Sequence, residues 1–449
     1  MKLFDNINIP EDKLHSKYKI LRDAPFGDGE KRIIQKWTDD LKDRDNKMVK
    51  EFQTTFHSCL WEFYLFACFK ELGFELNQSH NRPDFVIKSP DKINIEAVVA
   101  NIKTNGRQES TRNIKDLMDM FVPPRNQPDF FKVLDEAIVR DSNAIISKHK
   151  KYQNEYKKCD WVDEKTPFVV ALSSYSQVKY GREYIYPMMA LLFGMYYNPK
   201  NDKYEDKKYI IKPGTESQVK IGFFTNEEFQ DISAIIYSCT TTLGKLTSLA
   251  ISEGYLSDNS VYNLRRDYED EKIPYKLQKV SCDSPELLSD GLFIFHNPFA
   301  KNPLKKSIFE NCNATQFFIE DGCIVHTSNT YPIVCRLNIS KVFEQPFQSL
   351  IYEYYCQYIK CSHIEAYSLL PYKEININYN YDCLVCVWVI IEENNSLKNI
   401  HYKRSKNIPD EYLMRDAFNE IKKFPGIKEI EWIDIIRSQE QFDFYDKTI

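Results

Sequence analysis

Three acidic residues set the chemical possibilities of this chain: Glu62, Asp84 and Glu96. All lie in the stretch 57–101, HSCLWEFYLFACFKELGFELNQSHNRPDFVIKSPDKINIEAVVAN. Side chains alternate along a strand, so Phe85 and Ile87 share one face of a first strand, and Ile93 and Ile95 share one face of a second. The turn Ser89-Pro90-Asp91-Lys92 lies between them. If the apolar faces of a hairpin coincide, Phe85 opposes Ile95 and Ile87 opposes Ile93. The same register then sets Asp84 across from Glu96 on the other face. Directly opposed residues have Cβ atoms about 4.5–5.5 Å apart, so the two carboxylates repel. A divalent cation between them removes that cost. Glu62 is flanked by Leu60, Trp61, Phe63, Tyr64, Leu65 and Phe66. It has no polar face, and a buried carboxylate needs a partner.

The elements that position these acids follow from hydrophobic periodicity. Glu30–Leu41 is predicted as a helix with Ile33, Ile34 and Trp37 on one face. Lys47–Leu72 is predicted as one long helix carrying Glu62, stopped at Gly73. After the hairpin, 101–128 is polar and proline-punctuated, either a substrate-contacting loop or a surface insertion. Asp129–Tyr156 reads as a second long helix, with Ile138, Ile145 and Ile146 inward and Arg140, Lys148, Lys150 and Lys151 among its cations. Pro167–Leu172 is a short, continuously apolar strand of the buried kind. The similar runs 232–238 and 292–296 extend the same sheet. Residues 198–220 are charged and suit a surface hairpin. Lys245 or the threonines Thr240, Thr241 and Thr242 before it are read as a candidate phosphate contact, though the run lacks the leading glycine of a Walker loop. These elements make a first domain over 1–340.

The texture changes beyond Pro346. A helix over 347–359, strands over 375–381, 383–391 and 397–402, a helix over 410–424 and a strand over 428–433 make a smaller α+β domain, 346–449. It carries no acidic or His/Cys constellation, which suits recognition or assembly. His296, at a strand end, is read as a core or edge residue. Cys383 and Cys386 form a lone CxxC inside a strand and are read as core cysteines.

The chain has 449 residues, is 43% hydrophobic and 14% aromatic, and has a formal net charge of -5. That balance excludes a uniformly basic nucleic-acid binder and demands a local basic groove or a partner if nucleic acid is the ligand. The 12 cysteines are scattered without framework spacing, so reduced thiols and a cytoplasmic location are expected. No apolar run reaches membrane-spanning length, and MKLFDNINIPEDK lacks the apolar core of a secretory signal.

A helix glutamate, then Arg82-Pro83-Asp84-Phe85, then Ile95-Glu96-Ala97-Val98 in the next strand resembles the PD-(D/E)xK (restriction endonuclease-like) nuclease superfamily. The resemblance implies an α/β fold with a mixed β-sheet flanked by helices. It implies Mg²⁺ or Mn²⁺ held by Asp84, Glu96, the carbonyl of Ala97 and Glu62. It further implies hydrolysis of phosphodiesters, in DNA first, in a restriction or phage-defence setting. Where the superfamily carries its lysine, two residues after the glutamate, this chain has Val98. A lysine from another element can substitute, and Lys148 is the first candidate, since its long stem can run along the apolar face of its helix; Lys151 is the second. An inactive fold kept for nucleic-acid binding is the alternative, and so is an assembly subunit or homo-oligomer built through the C-terminal domain.

Overall fold

The computed structural model describes the chain except residues 104, 371, 373, 374, 376 and 449 and the side chains of 345, 346, 349, 363, 365, 367 and 448. It divides into two compact units, Met1–Gln345 and Pro346–Ile449.

The first unit is built on strands β1 (Glu75–Asn77), β2 (Phe85–Ser89), β3 (Ile93–Asn101) and β4 (Phe168–Tyr175). β2 and β3 are antiparallel, with Phe85 paired to Ile95 and Ile87 to Ile93, the register that the apolar residues dictate. β3 and β4 are parallel, Glu96 beside Val170 and Val98 beside Leu172. A parallel pair needs a long crossover, and here it holds the helix Phe130–Asn154. The sheet continues through Ala234–Ser238, Phe293–His296, Thr315–Glu320 and Cys323–Thr327 to eight strands. The unit is mixed α/β, a large mixed sheet flanked by helices.

Strand alternation divides the work of the two faces. Ile93, Ile95 and Ala97 of β3 and Val169 and Ala171 of β4 join the apolar helix Phe56–Glu71 in one core, where Trp61 Nε1 donates to the carbonyl of Ala171 at 2.9 Å. The alternate residues, Glu96 and Val98 on β3 and Phe168 on β4, face the helix Phe130–Asn154. Its Tyr152 stacks on Phe168 with centroids 4.1 Å apart. Burial of each large apolar side chain contributes on the order of 1.5–3 kcal/mol, so both faces are firmly specified.

Several expectations are corrected. The helix predicted over Lys47–Leu72 is two helices, Met48–Thr54 and Phe56–Glu71. Thr54 and Thr55 turn their hydroxyls back onto the carbonyls of Lys50 and Glu51, a competition that bends helices, and Thr55 leaves the helical region at φ -124° and ψ 35°. Residues 198–220 form parts of two small ribbons, Met195–Asn198 with Lys203–Asp206 and Tyr209–Ile211 with Gln218–Lys220. Lys245 meets no open surface. It is 1% exposed, and its ammonium donates to Glu286 and to the carbonyls of Leu287 and Asp290. A buried lysine so paired is a core ion pair, which excludes a phosphate contact by Lys245. His296 is buried against Gln316.

The second unit centres on Asp382–Ile391, flanked by Leu397–Ser405 and Ile427–Ile436 in an antiparallel sheet. The helix Asp410–Ile421 buries Leu413, Ala417 and Ile421, a four-residue repeat that fits one helical face. The strand expected over 375–381 is absent from the described residues there, which bend and turn; Asn376 lies outside them. Asn378 makes that turn, its carbonyl accepting from Tyr381 and Asp382 and its side chain from Asn380. Cys383 and Cys386 are buried and three apart on one strand, so they point to opposite faces and cannot share an ion. Among the described residues no helix is long and apolar enough to cross a membrane.

Candidate active site

Asp84 stands one residue before β2, and Glu96 lies on β3 at 3% exposure. Each carboxylate takes a backbone N–H from the other strand: Ala97 N–H donates to Asp84 Oδ2 at 2.8 Å, and Asp84 N–H to Glu96 Oε2 at 3.3 Å. Two further donors converge on Glu96 Oε1. Lys148 Nζ lies 2.7 Å away, and Tyr156 Oη donates over 2.7 Å. Lys148 comes from the crossover helix. The neighbouring Ile145, His149 and Tyr152 are buried, Tyr152 against Phe168 of β4, and the lysine stem runs inward between helix and strand. Tyr156 opens the single turn that follows the helix.

One lysine does not neutralise the acids. Burial, then the nearby Glu96 charge, pushes the Asp84 carboxyl up to about 7, against the opposing pull of Lys148 and the Ala97 N–H. Burial and the Asp84 charge push Glu62 up to about 8. A carboxyl whose folded pKa is raised binds protons that the unfolded chain has lost. Stability is therefore complete below about pH 4 and falls as pH rises toward 8. Three pKa units correspond to about 4 kcal/mol at most. Asp84→Asn keeps an acceptor for Ala97 N–H and removes the charge. In EDTA its Tm is expected to exceed wild type by several degrees at pH 8 and to converge with it only near pH 4. Calorimetry at the two values checks this; a variant that melts lower at pH 8 gives the pair a structural role.

The expected site residues divide. Asp84, Glu96, the Ala97 backbone and Lys148 come together. Glu62, Asp84 and Glu96 are not a trio with all ligand atoms within 4.8 Å of one another, and the helix of Glu62 packs on the face of the sheet opposite Glu96. Glu62 acts on Asp84 through its charge. Lys151 is exposed and makes no ion pair among the described residues. Lys103 pairs instead with Glu136 at 3.6 Å.

Two features escape the sequence. Tyr156 gives no periodic signal of its role. His15, His57 and Glu109, far apart in the chain, bring ligand atoms within 4.8 Å of one another, the one such trio among the described residues. Lys17 already supplies positive charge there, 3.3 Å from Glu109, and its N–H donates to His15 Nδ1. Burial, aided by His57, lowers His15 to about 4. The trio thus pins the N-terminal helix Ser16–Asp23 and the loop after β3 to the core.

No protein-family model, curated protein or solved structure matches the chain.

Proposed function

We propose that the chain is a metal-dependent nuclease with a restriction-endonuclease-like core, hydrolysing phosphodiester bonds in DNA. The observation that carries this reading is the meeting of Asp84 and Glu96 across one hairpin with Lys148 Nζ 2.7 Å from Glu96. Two acids and a lysine are assembled although the strand position for the lysine holds Val98.

The donor set fits a hard divalent cation. Asp84, Glu96 and the Ala97 carbonyl are all oxygen ligands, which suit Mg²⁺ or Mn²⁺ rather than softer metals. The upward push on the Asp84 carboxyl is the penalty that such a charge relieves. When bound, the cation supplies Lewis acidity to a phosphate oxygen and activates water. The chain's own part is positioning and charge. Lys148 presents an ammonium beside the carboxylates, where negative charge develops on the phosphate. Tyr156 holds Glu96 in one rotamer, and Glu62 raises the local negative field. The C-terminal unit serves recognition or assembly.

A second reading is a nucleic-acid-binding or assembly subunit without catalysis. It is favoured by Glu96 itself, whose two oxygens already take three hydrogen bonds. Incubating the full chain with plasmid, single-stranded DNA and RNA separates the two. Cleavage of DNA in Mg²⁺ or Mn²⁺ and none in EDTA is expected. Intact substrates under every condition sink the nuclease reading.

A further inference from the structure

We propose that a basic cavity at the far end of the crossover helix holds the phosphate backbone of the substrate strand, five to seven nucleotides from the bond at Glu96. The choice of that bond rests on the nuclease reading; the cavity's affinity for a polyanion does not.

The cavity has a volume of about 340 Å³ and lies between the loop after β3, the start of the helix Phe130–Asn154 and the turn after β4. Seven cationic side chains line it. Four are matched by carboxylates: Lys103 with Glu136, Arg107 with Asp116, Lys179 with Asp119 and Arg182 with Asp129. Lys132, Arg140 and Lys212 have no acidic partner among the described residues, so a net charge of about three remains, on a chain whose total is -5. Arg182, whose side chain is 3% exposed, is fixed in the cavity wall by Asp129 and Gln127.

Two rulers fix the distance to the carboxylates. Glu96–Lys148 and Lys103–Glu136 both tie the hairpin side of the sheet to the helix. Along the helix, Glu136 to Lys148 is about 18 Å at 1.5 Å per residue. Along the strand and its extension, Glu96 to Lys103 is about 23 Å at 3.3 Å per residue. Phosphates advance about 3.4 Å per nucleotide of one strand in a duplex, so the gap spans about five to seven of them. A mononucleotide cannot bridge it; a strand can.

Fluorescence anisotropy of the full chain in EDTA, with labelled oligodeoxynucleotides of 4 and 16 residues as single strands and duplexes, tests this without cleavage. The 16-mer is expected to bind at least tenfold tighter than the 4-mer. Lys132→Glu/Arg140→Glu/Lys212→Glu is expected to remove that advantage and to lower the slope of log K against log salt by about three. Lys132→Arg/Arg140→Lys is expected to restore it, and circular dichroism reports whether each variant is folded. Wild-type 16-mer affinity in the folded triple variant overturns the proposal, and so does full displacement of the 16-mer by millimolar inorganic phosphate, the mark of a small-anion site. Charge-sensitive binding with no cleavage in Mn²⁺ leaves the cavity assigned and the nuclease reading refuted. Cleavage with unchanged length dependence in the triple variant does the reverse.

Discussion

Glu96→Gln is expected to reduce DNA cleavage by roughly a thousandfold or more. The carboxylate performs three tasks that an amide cannot combine. Its Oε1 accepts from both Lys148 and Tyr156, and its Oε2 accepts from the N–H of Asp84. A glutamine has one acceptor oxygen, so its NH₂ must confront either the lysine and tyrosine donors or the Asp84 N–H. It also removes the negative charge that a divalent cation requires. Asp84→Asn is expected to be equally inactive, while keeping its Ala97 hydrogen bond and gaining stability at high pH. Turnover at saturating Mn²⁺ checks both variants. Activity within fivefold of wild type in either one places the chemistry elsewhere.

Lys148→Ala is expected to cost about two to three orders of magnitude in turnover, and Lys151→Ala nothing measurable. One preorganised charge beside a developing oxyanion is worth about 3–4 kcal/mol, which is that factor. The two lysines are three residues apart on one helix, yet one meets Glu96 and the other meets solvent. Val98 shares the face of Glu96 and lies beside Leu172, so Val98→Lys in the Lys148→Ala background is expected to restore part of the rate from the strand side. If Lys148→Ala keeps wild-type turnover, the idea that the lysine has moved to the helix is wrong.

The contrast between these residues shows what a sequence can carry. The pairing of Phe85 with Ile95 follows from alternation and burial alone, and it decides where Asp84 and Glu96 go. Lys148 is legible because it follows Ile146 on a helix whose apolar side must meet the sheet. Glu62 is legible as a buried acid but not as one mounted on the opposite face, since periodicity says that a side is buried and not by what. The break at Thr55 is hidden because both flanks are good helix. The trio of His15, His57 and Glu109 and the cavity near Arg182 join segments distant in sequence, and nothing local announces such meetings.

A lysine at position 98, on the strand of Glu96 itself, would complete the charge set within one hairpin. Here the ammonium reaches Glu96 across 52 residues of chain, after the crossover helix has docked. The hairpin can form early, through contacts close in sequence, but a chain at that stage holds two acids and no counter-charge. Ordering so long a connection makes the docking slow relative to hairpin closure. On the proposed nuclease reading, competence for hydrolysis thus waits on a contact between residues 52 apart in the chain. A chain in which that helix has not docked is then expected to be inert toward nucleic acid, and cleavage rate is expected to report how completely this part of the molecule has folded.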